Sequence, residues 1–330
     1  MKLPRRQFLH LAAGASALSV AARVAAALDY PTRPVHIVVG LPPGLTPDIG
    51  ARFMAQSLSE RLGQQFVVDN RPGGAGNIAT ELVVRAPPDG YTLLLAVAGN
   101  AIEAPLYPNL GFDFLRDIVA VASIGRTPFV AVINPALPAE SLSEFIAYAK
   151  ANPGKINFGS PGVGSANHVF VELFKMETGV NLVHVPYRSS MLPDLLSGQI
   201  QLLFAAIPGV IEFIRAGKLR ALAVTTATRA AVLPDVPAIS ETVPGYDASG
   251  WLGIGAPKDI ADEIVKRLSH EVAAVVADPV AKARLVGLGI EPMSMTSAEF
   301  QKFMAGEVEK WSKVVKFAGI KPEWRPARRR

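Results

Sequence analysis

The chain contains no cysteine in 330 residues, so no disulfide braces it and no thiolate can bind a metal, attack a substrate or carry a lipid. Histidine is nearly as scarce. Beyond residue 27 there are only His36, His168, His184 and His270, and no two are spaced to hold a metal from one helix face. His36 and His184 fall inside strand-like runs and read as structural. Excess charge is lacking too. The formal net charge of +5 falls to +1 once residues 1–27 are set aside, and Arg325, Arg328, Arg329 and Arg330 crowd into a proline-containing tail. A nucleic-acid binder would need a basic face with interleaved aromatics, and none is present. Beyond residue 27 no run is long and apolar enough to cross a membrane.

Half of the residues are apolar, enough for a large core in one big domain or two lobes. Residues 1–27 have a basic start (Lys2, Arg5, Arg6), an apolar middle (Phe8 to Val20) and a small-residue end, Ala25-Ala26-Ala27. That is the pattern of an export signal cleaved after Ala27. Arg5-Arg6-Gln7-Phe8-Leu9 looks like a twin-arginine signal. The expected mature protein is soluble and periplasmic.

The stretch from Val35 to Arg61 is a β-branched run, a Gly/Pro turn and a helical pattern, which reads as strand, loop and helix. Thr46 is the expected N-cap, Pro47 the first helical residue, and Asp48 a first-turn carboxylate. Amides at such a helix start can receive an anion, although every βα unit needs a corner of this kind. Strand-like runs at 65–69, 91–97, 129–133, 155–158, 181–185, 200–205, 219–225 and 251–256 are interspersed with helical patterns. Asn77 is expected to cap a helix beginning near Ile78, and three helical stretches close the chain. Strands apolar on both faces and alternating with helices predict parallel α/β sheets.

In such sheets ligands bind beyond the carboxyl ends of the strands. The loops there are Pro43-Gly44-Leu45-Thr46, Gly99-Asn100, Ser160 to Ser165, Tyr187 to Ser190 and Ala205-Ala206, rich in hydroxyls and backbone amides, with Arg188 the main cation. Enzyme signatures fit poorly. Gly162-Val163-Gly164-Ser165-Ala166 puts the serine after the second glycine, unlike a nucleophile elbow, so Ser165 reads as an N-cap. The glycines at 159, 162 and 164 lack dinucleotide-binding spacing, and no acidic residue ends the next strand.

Several stretches, in order along nearly the whole mature chain, resemble the Bug-type solute-binding proteins of tripartite tricarboxylate transporters. They include Pro42-Pro43-Gly44 with Asp48, Asn70-Arg71-Pro72-Gly73, Pro88-Asp89-Gly90-Tyr91, Gly159-Ser160 to His168, Val185-Pro186-Tyr187-Arg188, and Leu233-Pro234-Asp235-Val236-Pro237. The resemblance implies an α/β, two-lobed periplasmic binding protein fold of type II, each lobe a mainly parallel sheet flanked by helices, with the ligand cleft between lobes. Residues 28–125 plus 226–330 would form lobe 1 and residues 126–225 lobe 2. It implies capture of a small carboxylate, direct or through bridging water, by the loops Gly44 to Asp48 and Ser160 to His168. The expected ligand-binding residues are Pro43, Gly44, Leu45, Thr46, Asp48, Asn100, Ser160, Gly164, Ser165, His168, Tyr187, Arg188 and Ala206. No catalytic residue, metal or cofactor is expected, and the partners are the membrane subunits of a transporter, met by a monomer. Other readings are a ligand-sensing subunit for a membrane sensor kinase and a secreted hydrolase using Ser165 and His168. Leu45 stands where the family commonly has a second glycine, which predicts a ligand with an apolar body. Ser189-Ser190 replace glycines, and Gln201 replaces an aspartate.

Overall fold

Two sheets carry the chain in the computed structural model, which describes residues 30–107 and 110–321. Residues 1–27, read as an export signal, and the arginine tail lie outside the described residues. The first part runs β1 (Val35–Val39), α1 (Thr46–Leu62), β2 (Phe66–Asn70), α2 (Asn77–Val84), β3 (Thr92–Val97), α3 (Ala98–Leu106), α4 (Phe114–Asp117) and β4 (Ile118–Thr127). The middle runs β5 (Phe129–Ile133), α5 (Leu142–Ala151), β6 (Ile156–Ser160), α6 (Ala166–Thr178), β7 (Leu182–Pro186), α7 (Leu192–Ser197), β8 (Leu202–Ala206), α8 (Ile211–Arg215) and β9 (Arg220–Val224). The last part is β10 (Gly250–Pro257), α9 (Asp262–Ala277), α10 (Pro279–Gly287), β11 (Glu291–Pro292) and α11 (Ser297–Ala318).

Strand order is β11-β4-β10-β3-β1-β2 in the first sheet and β7-β6-β8-β5-β9 in the second. β1, β2 and β3 are parallel, as are β6, β7 and β8. Each set receives one antiparallel insert. β10 lies between β3 and β4, and β5 between β8 and β9. These inserts are the strands by which the chain enters each sheet from the other, so their direction follows from the crossing.

The crossings lie side by side. β4 continues through Pro128 into β5, and Gly250 at the start of β10 pairs with Thr127. Thr225 N donates to Phe129 O over 2.9 Å, and Ala248 N donates to Thr225 O over 2.9 Å. Part of residues 226–249, which the sequence reading assigned to lobe 1, packs on the second sheet. Val224 N donates to Pro237 O over 2.8 Å, and Ala230, Leu233 and Ala238 pack with Val130 and Val132 of β5. The chain crosses near 128 and 249 because buried apolar side chains tie the intervening segment to the second sheet.

One apolar core spans both lobes. Ile102 and Leu106 of α3, Phe170 and Phe174 of α6, and Trp311 and Val314 of α11 belong to a single buried cluster. Trp311 stacks on Phe170 with ring centroids 5.2 Å apart. Thr296 and Glu299 close a reciprocal cap at the start of α11, fixing the long helix that makes this bridge.

Candidate functional site

The loops at the carboxyl ends of β1 and β3 belong to one lobe, and those of β6, β7 and β8 to the other. In the first lobe the loop after β1 passes close to the turn before α2, where a Cβ on Gly40 would fall 2.9 Å from Gly76 Cα. Gly44 has φ +86°, and α1 begins at once after it. Leu45 is the N-cap and Thr46 is already helical, with Pro47 second, so the expected Thr46 cap is displaced by one residue. The left-handed turn at Gly44 brings the helix start forward. Leu45 offers no side-chain cap, which leaves first-turn amides for solvent or a ligand. Pro43, Gly44 and Leu45 are exposed, Leu45 by 48%.

Asp48 points the other way. Only 2% exposed, it accepts from Gly44 N (2.9 Å) and Arg52 Nε (3.1 Å) on one oxygen and from Asn70 Nδ2 (2.8 Å) on the other. Burial raises its pKa, but the bonds from Arg52, Gly44 and Asn70 outweigh burial and hold the carboxyl below its usual range. Asp48 is thus a brace that shapes the loop from inside. Asn100 is another: its Oδ1 accepts from Val97 N (2.8 Å) and its Nδ2 donates to Thr80 Oγ1 (3.1 Å). Asn77 does not cap α2, which starts at Asn77 itself behind a left-handed Gly76. Asn77 Nδ2 and the neighbouring Glu103 Oε2 are buried without a hydrogen-bond partner among the described residues, and burial pushes the Glu103 carboxyl up to about 9. Glu103 is therefore neutral at pH 7, a residue the sequence reading did not pick out.

In the second lobe Ser160 to Ser165 form a tight turn with Gly162 at φ +143° and Gly164 at φ +81°. Ser165 caps α6 as expected. Its Oγ donates to Gly162 O (2.8 Å) and accepts from His168 N (3.4 Å). The His168 ring is turned away from that hydroxyl, with Nδ1 taking Gly164 N–H (3.1 Å) and Nε2 facing Glu172 Oε1 at 3.5 Å. Ser165 and His168 consequently form no nucleophile–base pair. Ser160 Oγ lies 2.6 Å from His184 Nε2, and Ser160 O accepts from Tyr187 N (2.8 Å). Tyr187 Oη donates to Asp194 (2.6 Å); burial, then Asp194, pushes its hydroxyl up to about 12. Arg188 is exposed and has no hydrogen-bond or ion-pair partner among the described residues. Ala206 ends β8 half-buried.

The lobes meet at this turn, since a Cβ on Gly164 would lie 3.0 Å from Leu106 Cδ1 of α3. The structure gives the side-chain directions that the sequence could not. Asp48, Asn100 and His168 face inward as supports, while Leu45 and Arg188 face outward. His184, read from the sequence as structural, is brought to Ser160 by the parallel pairing of β6 and β7. Among the described residues no group of three His, Asp or Glu could hold a metal, and no helix is long and apolar enough to cross a membrane.

A family model described as the tripartite tricarboxylate transporter family receptor matches residues 50–320. The chain is similar to Protein BugT of Bordetella pertussis, 36% identical over 297 residues that cover 88% of this chain and 91% of BugT. Among solved structures it resembles R. palustris Rpa4515 with adipate, at 38% identity and TM-score 0.78, covering 89% of this chain and 99% of that one. It also resembles MatC from Rhodopseudomonas palustris with bound malate, at 27% identity and TM-score 0.74, covering 87% and 100%.

Proposed function

Because the chain belongs to the tripartite tricarboxylate transporter receptor family, a family of solute-binding receptors rather than enzymes, we propose that it is a periplasmic protein that captures a small organic carboxylate, a di- or tricarboxylate or an aromatic acid, and delivers it to transporter membrane subunits. The observation that carries this reading is the uncapped start of α1, whose first-turn amides have no side-chain acceptor and suit a carboxylate; the exposed Arg188 of the other lobe adds a cation. Contact residues in this reading are Pro43, Gly44, Leu45, Thr46, Gly164, Ser165 and Arg188, with Asp48, Asn100, Ser160, His168 and Tyr187 as supports and Ala206 on the floor. A ligand touching both lobes binds the closed state better than the open one, which shifts the population toward closure. The protein acts as a monomer, exported by residues 1–27.

Adipate, present in the Rpa4515 structure, is the first probe. At 100 times its dissociation constant it should stabilise the fold by about 2.7 kcal/mol, or about 5 °C in a thermal-shift assay of protein stripped of retained ligand. No shift with adipate, malate, tricarboxylates or aromatic carboxylates would overturn the proposal.

Leu45 narrows the ligand class. An exposed leucine beside the donor amides favours a ligand whose body is apolar between polar ends. Leu45→Gly is expected to weaken adipate about tenfold, from apolar area no longer buried, while changing malate by less than about threefold. Equal losses for the two acids in calorimetric titration would remove Leu45 from this role.

A further inference from the structure

Beneath the Ser160–Ser165 turn two imidazoles lie face to face. His168, in the first turn of α6, and His184, opposite Phe158 in the β6–β7 pairing, have ring centroids 3.8 Å apart and planes inclined by 11°. Phe158 packs against both, 5.0 Å from His184 and 5.9 Å from His168. Each imidazole holds one end of the turn. His184 Nε2 is 2.6 Å from Ser160 Oγ, and His168 Nδ1 accepts from Gly164 N–H over 3.1 Å.

Ser160 Oγ lies 2.9 Å from Gly162 O and 2.6 Å from His184 Nε2. His168 can accept from Gly164 only while Nδ1 is bare, and Glu172 Oε1, 3.5 Å from Nε2, favours the single ring proton on that side. Lys175 Nζ, 2.8 Å from Glu172 Oε1, is the remaining charged group at the stack. Burial works against the Glu172 charge, but bonds to His168 and Lys175 prevail and keep the carboxylate ionised below its usual range. Burial, then His168, pushes His184 down to about 4, so that ring is neutral in physiological media. A second proton on His168 has one place to go. It would meet Gly164 N–H head-on, replacing an acceptor with a donor.

We propose that His168 is a positioning residue: through Gly164 it holds the glycine turn in the shape that receives the ligand. At 5% exposure His168 acts through the backbone and does not itself touch the ligand. The affinity part rests on the carboxylate-receptor reading, whereas the contact itself does not.

Two variants separate the hydrogen bond from the stack. His168→Asn sets an oxygen near the Nδ1 position and does not titrate; His168→Phe keeps the ring packing and removes the acceptor. In 15N-labelled, ligand-free protein, through-bond coupling between Gly164 N and His168 Nδ1 is expected. Exchange of the Gly164 amide should be about tenfold faster in His168→Phe than in wild type. With adipate as the probe, His168→Phe is expected to bind about tenfold more weakly at pH 7.5, as for loss of one hydrogen bond in a buried turn, and His168→Asn to recover most of that loss. Absent coupling, or wild-type affinity in His168→Phe, would overturn the proposal. If wild type binds no carboxylate, the receptor reading fails, while coupling and amide exchange still decide whether His168 holds the turn.

Discussion

Glu307→Ala is expected to lower stability by about 3–5 kcal/mol, the cost of removing one partner from a buried hydrogen-bonded charge. Glu307 is 7% exposed on α11, and its Oε2 accepts from Trp251 Nε1 (3.0 Å) and Trp311 Nε1 (3.1 Å). Its other oxygen pairs with Lys310, whose Nζ also donates to Asp247 O over 3.0 Å. One carboxylate therefore ties β10, α11 and the segment before the second crossing. Alanine leaves two buried indole N–H groups without an acceptor, each costing about 1–3 kcal/mol, and opens a cavity beside the Trp311–Phe170 stack. Glu307→Gln keeps an acceptor and should cost about 1–2 kcal/mol. Urea denaturation followed by tryptophan fluorescence measures both. A Glu307→Ala midpoint equal to wild type would show that the indoles find other acceptors.

Asp48→Ala should cost about 2–4 kcal/mol and weaken adipate at least about tenfold, because three donors lose their shared acceptor and the loop that carries Leu45 loses its brace. The pH dependence carries a definite sign. A carboxyl whose folded-state pKa is depressed contributes stability that is fully present above its unfolded pKa, about 4, and is lost as pH falls through the folded value. The stability gap between wild type and Asp48→Asn should therefore be constant from pH 7 to about pH 5 and narrow in stronger acid. A gap that widens on acidification would assign the charge a different partner.

Local signals carried much of this architecture. Turn residues and apolar runs located most βα units, and Ser165 could be read as a cap because capping is decided within three residues. β4 is missing from the strand-like runs read from the sequence because Ala120, Ala122, Ser123 and Gly125 have little β propensity. Their small size has a distant cause: a Cβ on Gly125 would fall 2.5 Å from Ile290 and 2.6 Å from Glu291 O. The helix α3 was hidden by Gly99 and by Pro105, which its last turn accommodates. The antiparallel placement of β10 and the attachment of residues 226–249 to the second sheet depend on partners far along the chain. Side-chain direction had the same limit. A first-turn aspartate can face a ligand or its own loop, and Asn70 of β2 and Arg52 of α1 turn Asp48 inward.

The insertion of β10 between β3 and β4 also sets an order of maturation. Every strand of the second sheet comes from the uninterrupted stretch β5 to β9, so that lobe can form once this stretch and the segment 226–249 that packs on it have left the ribosome. The first lobe must wait. Until Gly250–Pro257 is synthesised, β3 and β4 lack the strand that joins them, and a nascent chain carries both with bare edges able to recruit foreign strands. The last-made quarter of the polypeptide thus closes the lobe that was begun first, and the cleft, which borrows loops from both, is the final part of the molecule to exist.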